Sequence, residues 1–478
     1  MNYSIIRYIL CRVLECAAVL MILPCIVGLI YKEESYIYFL AVIIVCLLVS
    51  IIGRRFKPKS KVFYSKEGFV TVSLSWIILS LVGALPFYLS GEIPSYIDAL
   101  FETISGLTTT GATILTDVEI MSKGMQFWRC FTHWIGGMGV LVLILAVLPL
   151  SGSYNMYLMR AESPGPSVGK FVPKVKNTAM ILYGIYIMIT FTEIIALLLA
   201  GMDLYSATTL TFSTVGTGGF GLLNTSIATY STSIQVIFTI FMILCGINFH
   251  LFYLLLIRKP KEIFKSEELR FYLIILFGAA LLITFDIREL FGNGLAAFQQ
   301  ALFQVSSIMT TTGFATQDYN VWPEFSKAIL FLLTLIGASA GSTGGGFKVS
   351  RLIIMMRAIR NEVAYVIHPR SIRKIRMDGI VVESSVKKSV LAYMMIYVLI
   401  FMTSFLLLAL NEFDFVTNIT AVAATFNNVG PGLNMVGPIG NYAAFSGFSK
   451  GVLMFDMLAG RLELLPMLIL FAPMTWKK

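Results

Sequence analysis

The chain has 478 residues, 57% of them hydrophobic and only 13% charged, with a mean hydropathy of +0.82. That leaves too little polar surface for a water-soluble protein of this size and places the chain in a bilayer. The net charge of +10 would suit a nucleic-acid binder, but the basic residues cluster in alternate loops between apolar runs, which argues against that reading.

In chain order, apolar runs at 5–30, 36–52, 69–89, 127–150, 179–200, 234–257 and 390–410 each approach the ~17–25 residues that span a hydrocarbon core. Helices rather than barrel strands are expected. The first run carries Arg7, Arg12 and Glu15 and has no small-residue cleavage site before Tyr31, so it reads as an uncleaved anchor. Residues 1–60 form a transmembrane hairpin around the turn at 31–35, with no polar glycine segment, and are expected to be peripheral.

Four pore units follow, at 61–170, 171–262, 263–376 and 377–478. Each contains a spanning helix, a half-helix dipping back, a glycine-ended polar segment and a second helix. The segments are Thr108-Thr109-Thr110-Gly111, Gly216-Thr217-Gly218-Gly219, Thr310-Thr311-Thr312-Gly313 and Asn427-Asn428-Val429-Gly430. Ala99-Leu100-Phe101 precedes the first segment and Ala301-Leu302-Phe303 the third at identical spacing. Six residues before each glycine stands a small residue, Ser105, Ser213, Ser307 or Ala424, which allows half-helices to approach closely. The fold class is therefore an all-α integral membrane protein, with four pseudo-repeated helix/half-helix/filter/helix units around one pore plus an N-terminal two-helix hairpin.

The chemistry of the repeat points to a cation. Backbone carbonyls can replace an ion's hydration shell, and glycine reaches the backbone angles that aim them at an axis. A lone Thr-Thr-Thr-Gly reads as a helix-ending turn, whereas four in matched context read as an ion filter. The fourth segment is the poorest match, so the ring is not strictly four-fold. A half-helix ending at such a segment points its negative C-terminal end toward the bilayer centre. Asp98, Asp203 and Asp414 lie near half-helix starts and fit as caps or dipole partners, or more weakly as an acidic funnel.

The third unit's second helix is interrupted by the stretch 337–346, which includes Gly337, Gly341, Gly344, Gly345 and Gly346 and ends just before Phe347-Lys348. Five glycines in ten residues will not hold a helix, and unpaired backbone at membrane depth must face protein or a watery cavity. The break belongs on the pore axis. It lacks the lysine placement and preceding strand of a phosphate-binding loop. Arg461, in an apolar run, needs a partner; either it holds the loop shut through freed carbonyls, with Lys348 helping, or it snorkels to the inner surface. Glu193 and Asp456 are intramembrane carboxylates suited to ion relay or to hydrogen bonding within the bundle.

The six cysteines lie in apolar runs without metal-ligand spacing and read as free thiols. The three histidines are too dispersed for zinc, and no catalytic constellation is present, so no enzyme and no bound cofactor are expected. Basic loops around 54–66, 160–176, 258–270 and 370–376 alternate with acidic ones. The positive-inside rule then puts both termini in the cytoplasm and all four glycine segments on the outer side. The basic stretch 351–376 suits anionic lipid, and a regulatory partner as an alternative.

These motifs, with the sequence 133–139 (His-Trp-Ile-Gly-Gly-Met-Gly) and Gly460-Arg461-Leu462-Glu463, resemble the Trk/Ktr/HKT superfamily of potassium transporters, TrkH type, over essentially the whole chain. The resemblance implies potassium uptake across the bacterial inner membrane by a homodimer with one pore per subunit. It also implies a cytosolic TrkA-like nucleotide-binding regulatory subunit, with potassium as the transported ligand. Filter positions carried over are Thr109, Thr110, Gly111, Thr217, Gly218, Gly219, Thr311, Thr312, Gly313, Asn428, Val429 and Gly430, and the resemblance implies that the stretch 337–346 is an intramembrane gate loop toward which Arg461 projects. Potassium contacts are implied at Thr110, Gly111, Gly218, Gly219, Thr312, Gly313, Val429 and Gly430. A serine at the first filter position goes with sodium preference in some members, so Gly111 points to potassium. An ion-coupled secondary transporter, a sodium or proton symporter with a broken-helix substrate site, is the alternative.

Overall fold

The computed structural model describes residues 1–56, 64–139, 175–370 and 373–476. Among these, helices dominate, and the strands are the antiparallel pair Arg376–Met377 and Ile380–Val381. Among the described residues, six helices are long and apolar enough to cross a membrane: Tyr3–Ile30, Ser35–Arg54, Ser65–Leu89, Ala179–Leu199, Glu267–Phe291 and Ser384–Asn411. Their outward faces stay apolar, with Leu48, Ile52, Leu282, Phe285, Leu399 and Leu406 exposed. Such a surface is stable against lipid and not against water. The run expected at 127–150 begins as the helix Lys123–Gly137. Its continuation, and the basic residues Arg160, Lys170 and Lys174, lie outside the described residues.

Four short helices do not reach across. Tyr96–Leu107, Leu204–Val215, Gly294–Met309 and Phe415–Phe426 have 12, 12, 16 and 12 residues, against the ~20 a bilayer requires. Each opens on a side-chain cap that accepts a first-turn N–H, from Ser95, Asp203, Asn293 or Asp414. Asp203 and Asp414 thus cap as expected. Asp98 stands in the first turn of its half-helix, where a dipole partner belongs, but Ser95 is the cap and Asp98 also pairs with Lys450 at 2.6 Å.

The run 234–257, expected as one straight span, is broken. Helices Thr232–Cys245 and Phe249–Leu256 meet at 91°. The cause lies in the third unit's glycine stretch, which takes up the backbone groups the bend frees. Thr343 Oγ1 donates to the Cys245 carbonyl (3.2 Å), Ser339 N–H to Gly246 (3.1 Å), and Phe249 N–H to Gly341 (3.0 Å). Asn248 caps the second half through the His250 N–H at 2.9 Å.

The N-terminal hairpin packs on the Lys123–Gly137 helix, where Glu33 accepts the N–H groups of Lys123 (2.9 Å) and Gly124 (3.0 Å). A carboxylate at a helix N-terminus satisfies orphan donors and opposes the dipole. All six cysteines are free thiols, five of them buried.

Candidate functional site

Each half-helix ends in the same turn. In the first, Thr109 N–H donates to Gly106 O (3.1 Å) and Thr110 N–H to Ser105 O (2.8 Å). The equivalents are Gly218 to Ser213, Thr312 to Ser307 and Val429 to Ala424, each also 2.8 Å. This is the Schellman pattern, which requires a left-handed residue just past the cap. Those residues are Thr109, Thr217, Thr311 and Asn428, with φ of +56°, +55°, +60° and +56°. The small residues six before each glycine therefore supply the carbonyls that close the turn.

Two residues on, Gly111, Gly219, Gly313 and Gly430 again have positive φ, +80°, +80°, +87° and +92°, a conformation costly for any side chain. Space forbids one as well. A Cβ on Gly111 would fall on the carbonyl oxygen of Gly218, one on Gly219 on that of Thr312, one on Gly313 on that of Val429, and one on Gly430 on that of Thr110. Each corner thus abuts the carbonyl just before the next corner's glycine, and the fourth returns to the first. The eight residues expected to contact an ion form one closed ring. On one side a cavity of about 110 Å³ is lined by all four glycines, with Arg129, Asn224 and Tyr442 at its wall. None of Asp98, Asp203 and Asp414 lines it, so the acidic funnel is not built there.

Side chains brace the ring from behind. The ring of His133 packs on Gly218, stacks on Phe220 at 4.2 Å and pairs through Nδ1 with Ser213 Oγ at 3.3 Å. Buried Arg129 and Glu102 pair at 2.6 Å. Glu102 also accepts from Ile114 N–H at 3.0 Å, while Arg129 lies 3.6 Å over Phe220 and donates to Gly221 O at 3.1 Å. The pair ties the strands leaving the first two corners. A lone buried charge would be expensive, and these bonds satisfy both ions. At the fourth corner Asn428 Nδ2 donates to Thr110 Oγ1 (3.0 Å) and Met457 O (2.9 Å), and Asn427 pairs with the Tyr397 hydroxyl.

The glycine stretch lies against the other side of the ring. The helix Glu324–Ile336 stops at Gly337 (φ +73°), and the next, Val349–Ile367, starts after Lys348 (φ +83°). A Cβ on Gly344 would sit 2.7 Å from Thr310 O, and one on Gly345 would overlap Asn427 O. Gly337 and Gly346 touch backbone to backbone, so the loop's two ends meet. Buried Lys348 donates Nζ to Gly344 O. Arg461 donates to Thr343 O (2.8 Å) and to Gly136 and Gly137 O (both 2.7 Å). The loop and the end of the Lys123–Gly137 helix thus share one guanidinium, and the freed carbonyls are its acceptors rather than the membrane surface.

Several residues at this loop were not anticipated. Arg351, expected to open the lipid-facing basic stretch, is instead buried, pairs with Glu463 and lies with its guanidinium 3.9 Å over Tyr393. Glu268 accepts from Ala340 N–H (2.7 Å) and Ser350 N–H (3.1 Å), gripping both flanks of the loop. The signal available was the presence of carboxylates beside apolar runs; their partners are far away in sequence. Asp456 accepts from Ser404 at 2.6 Å, the bundle hydrogen bond weighed above, and Glu193 is fully buried.

A family model described as TrkH, cation transport protein, matches residues 36–286 and 293–478. The chain belongs to the TrkH family. Among TrkH relatives, it is 36% identical over 469 residues to the Trk system potassium uptake protein TrkH of Salmonella typhimurium, covering 96% of each chain. It is 35% identical over 487 residues to the TrkH of Vibrio parahaemolyticus, covering 99% of each. The crystal structure of the potassium transporter TrkH from Vibrio parahaemolyticus superimposes with a TM-score of 0.90 at 32% identity, covering 100% of both chains. TrkH membership and the apolar spanning helices agree with the expected all-α membrane class.

Proposed function

We propose that the chain takes up potassium across the bacterial inner membrane, with the closed ring as its selectivity filter and the stretch 337–346 as its gate. The observation that carries the reading is the cyclic contact of four corners, each glycine abutting the carbonyl that precedes the next. The names of the relatives, potassium uptake proteins of the Trk system, support the choice of ion.

A potassium ion entering from the cavity side loses its water to the carbonyls of Thr110, Gly218, Thr312, Val429 and the four glycines. Four half-helix C-termini add a negative field on the inner side of the ring. The loop obstructs the exit, and the charges of Arg461 and Lys348 oppose a cation there. Opening requires Arg461 to release Thr343. In this reading the cytosolic TrkA-like subunit pulls on the basic stretch that follows the loop, the termini are cytoplasmic, and the chain works as a homodimer. Transport through this path needs no covalent chemistry and no resident cofactor.

The test is Arg461→Ala in a potassium-uptake-deficient bacterium and in proteoliposomes. Losing charge-assisted bonds of this kind, ~1.5–3 kcal/mol each, should raise regulator-independent rubidium flux by about tenfold or more. Flux at or below the unmodified level, at equal protein abundance, would falsify the gate. Gly111→Ser should shift the preference from potassium toward sodium; an unaltered preference would refute the filter.

A further inference from the structure

The four left-handed residues of the ring share one backbone, yet their side chains end differently. Thr217 Oγ1 donates to its neighbour Gly216 O at 2.7 Å. Thr109 Oγ1 is buried without a hydrogen-bond partner among the described residues. Asn428 spans to Thr110 and Met457. Of the four, Thr311 is the one whose side chain hydrogen-bonds to the glycine loop among the described residues, its Oγ1 accepting the Gly345 N–H at 2.6 Å. That bond is direct, buried and made to the loop residue seated closest against the ring, where a Cβ on Gly345 would meet Asn427 O and stand 3.0 Å from Asn428 Cβ. The loop is therefore held by shape at the fourth corner and by a hydrogen bond at the third.

We propose that Thr311 is a latch between filter and gate, a positioning residue whose hydroxyl holds the loop against the ring and is freed to the ion path when the loop withdraws. The inference rests on the filter-and-gate reading above and deepens it. Removing the hydroxyl leaves the Gly345 N–H without an acceptor only while the loop is seated, so the closed state alone is weakened. The pseudo-repeat supplies its own controls: Thr217 and Thr109 occupy the same turn position in the same ring without a side-chain hydrogen bond to the loop among the described residues.

The experiment compares Thr311→Val, Thr217→Val, Thr109→Val and Thr311→Ser in the full chain, reconstituted without a regulator and read by single-channel recording. Thr311→Val should raise open probability about threefold to tenfold above the other two valine variants, the population shift that one hydrogen bond supports. Thr311→Ser keeps the hydroxyl and should restore the unmodified value. Equal open probabilities among the three valine variants, or a serine variant as leaky as the valine, would overturn the latch. Should Thr311→Val not assemble, hydrogen exchange at the Gly345 amide decides: slow in the unmodified chain and faster in Arg461→Ala supports it, and equal rates overturn it. Gly111→Ser is recorded in parallel. If it leaves ion preference unchanged, the filter reading has failed; a responsive Gly111 with an unresponsive Thr311 refutes the latch alone.

Discussion

The first and fourth corners reach one backbone from two sequences. At the first, Thr109 is β-branched and held at φ +56°, a conformation that costs an L-residue with a Cβ roughly 1–2 kcal/mol. At the fourth, Asn428 takes the same φ as a residue type that visits it routinely. The first corner secures itself internally, with Thr108 and Thr110 hydroxyls 2.8 Å apart, and the third repeats this with Thr310 and Thr312. The fourth is secured outward, Asn428 to Thr110 and Met457, Asn427 to Tyr397. The difference teaches that the ring is specified by a helix-end turn followed by a glycine, and that threonine is one of two ways to hold it.

If that is right, the glycine matters more than the residues before it. Gly430→Ala places a Cβ 2.5 Å from Thr110 O at φ +92°. The corner must move, and displacements near 1 Å at a reacting centre cost about a hundredfold in rate; rubidium uptake should fall by about that factor with the protein still in the membrane. Gly91→Ala is the control, since Gly91 has φ +76° but nothing within 4 Å of the added carbon. Equal losses in the two would break the comparison. Asn428→Thr makes the fourth corner like the others and removes the donor to two buried acceptors. Thermal unfolding should report a loss of about 2–6 kcal/mol, at ~1–3 per unsatisfied group. An unchanged melting curve would mean the amide braces nothing.

The four corners were legible because glycine and threonine recur at fixed spacing, and the bland reading as helix-ending turns was also true: the turn is the device that forms the corner. Local sequence carried that much, since a Schellman turn is written in six consecutive residues. The glycine break at 337–346 was legible for the same reason. The bend at 246–248 was not, because its freed carbonyls are satisfied by Ser339 and Thr343, far along the chain. The partner of Asp98 was hidden for a related reason. The aspartate's position in the first turn suited a cap, but Ser95 precedes it and Lys450, 352 residues later, claims the carboxylate. What escaped sequence reading was pairing between distant elements, Arg129 with Glu102 and Arg351 with Glu463 included.

The starts of these two half-helices extend the comparison to smaller effects. The first is tied across to the helix Gly447–Arg461 of the fourth unit by Asp98 and Lys450, whose side chains are 27% and 8% exposed. Asp98→Ala strands a mostly buried ammonium, and the partial exposure of the carboxylate keeps the expected cost at about 1–2 kcal/mol. The fourth is capped locally. Burial lifts the Asp414 carboxyl, but hydrogen bonds from the Thr417 hydroxyl and N–H and from the Asn434 amide outweigh it and hold its pKa below the ordinary range. Asp414→Ala should cost about 1 kcal/mol at neutral pH. Because the folded-state pKa is depressed, this contribution is complete above the unfolded value near ~4 and drains away as pH falls through the lower folded one. The stability gap between Asp414→Ala and the unmodified chain should therefore narrow on acidification. A gap that widens instead would place the cap's contribution in packing rather than in the ionised carboxylate.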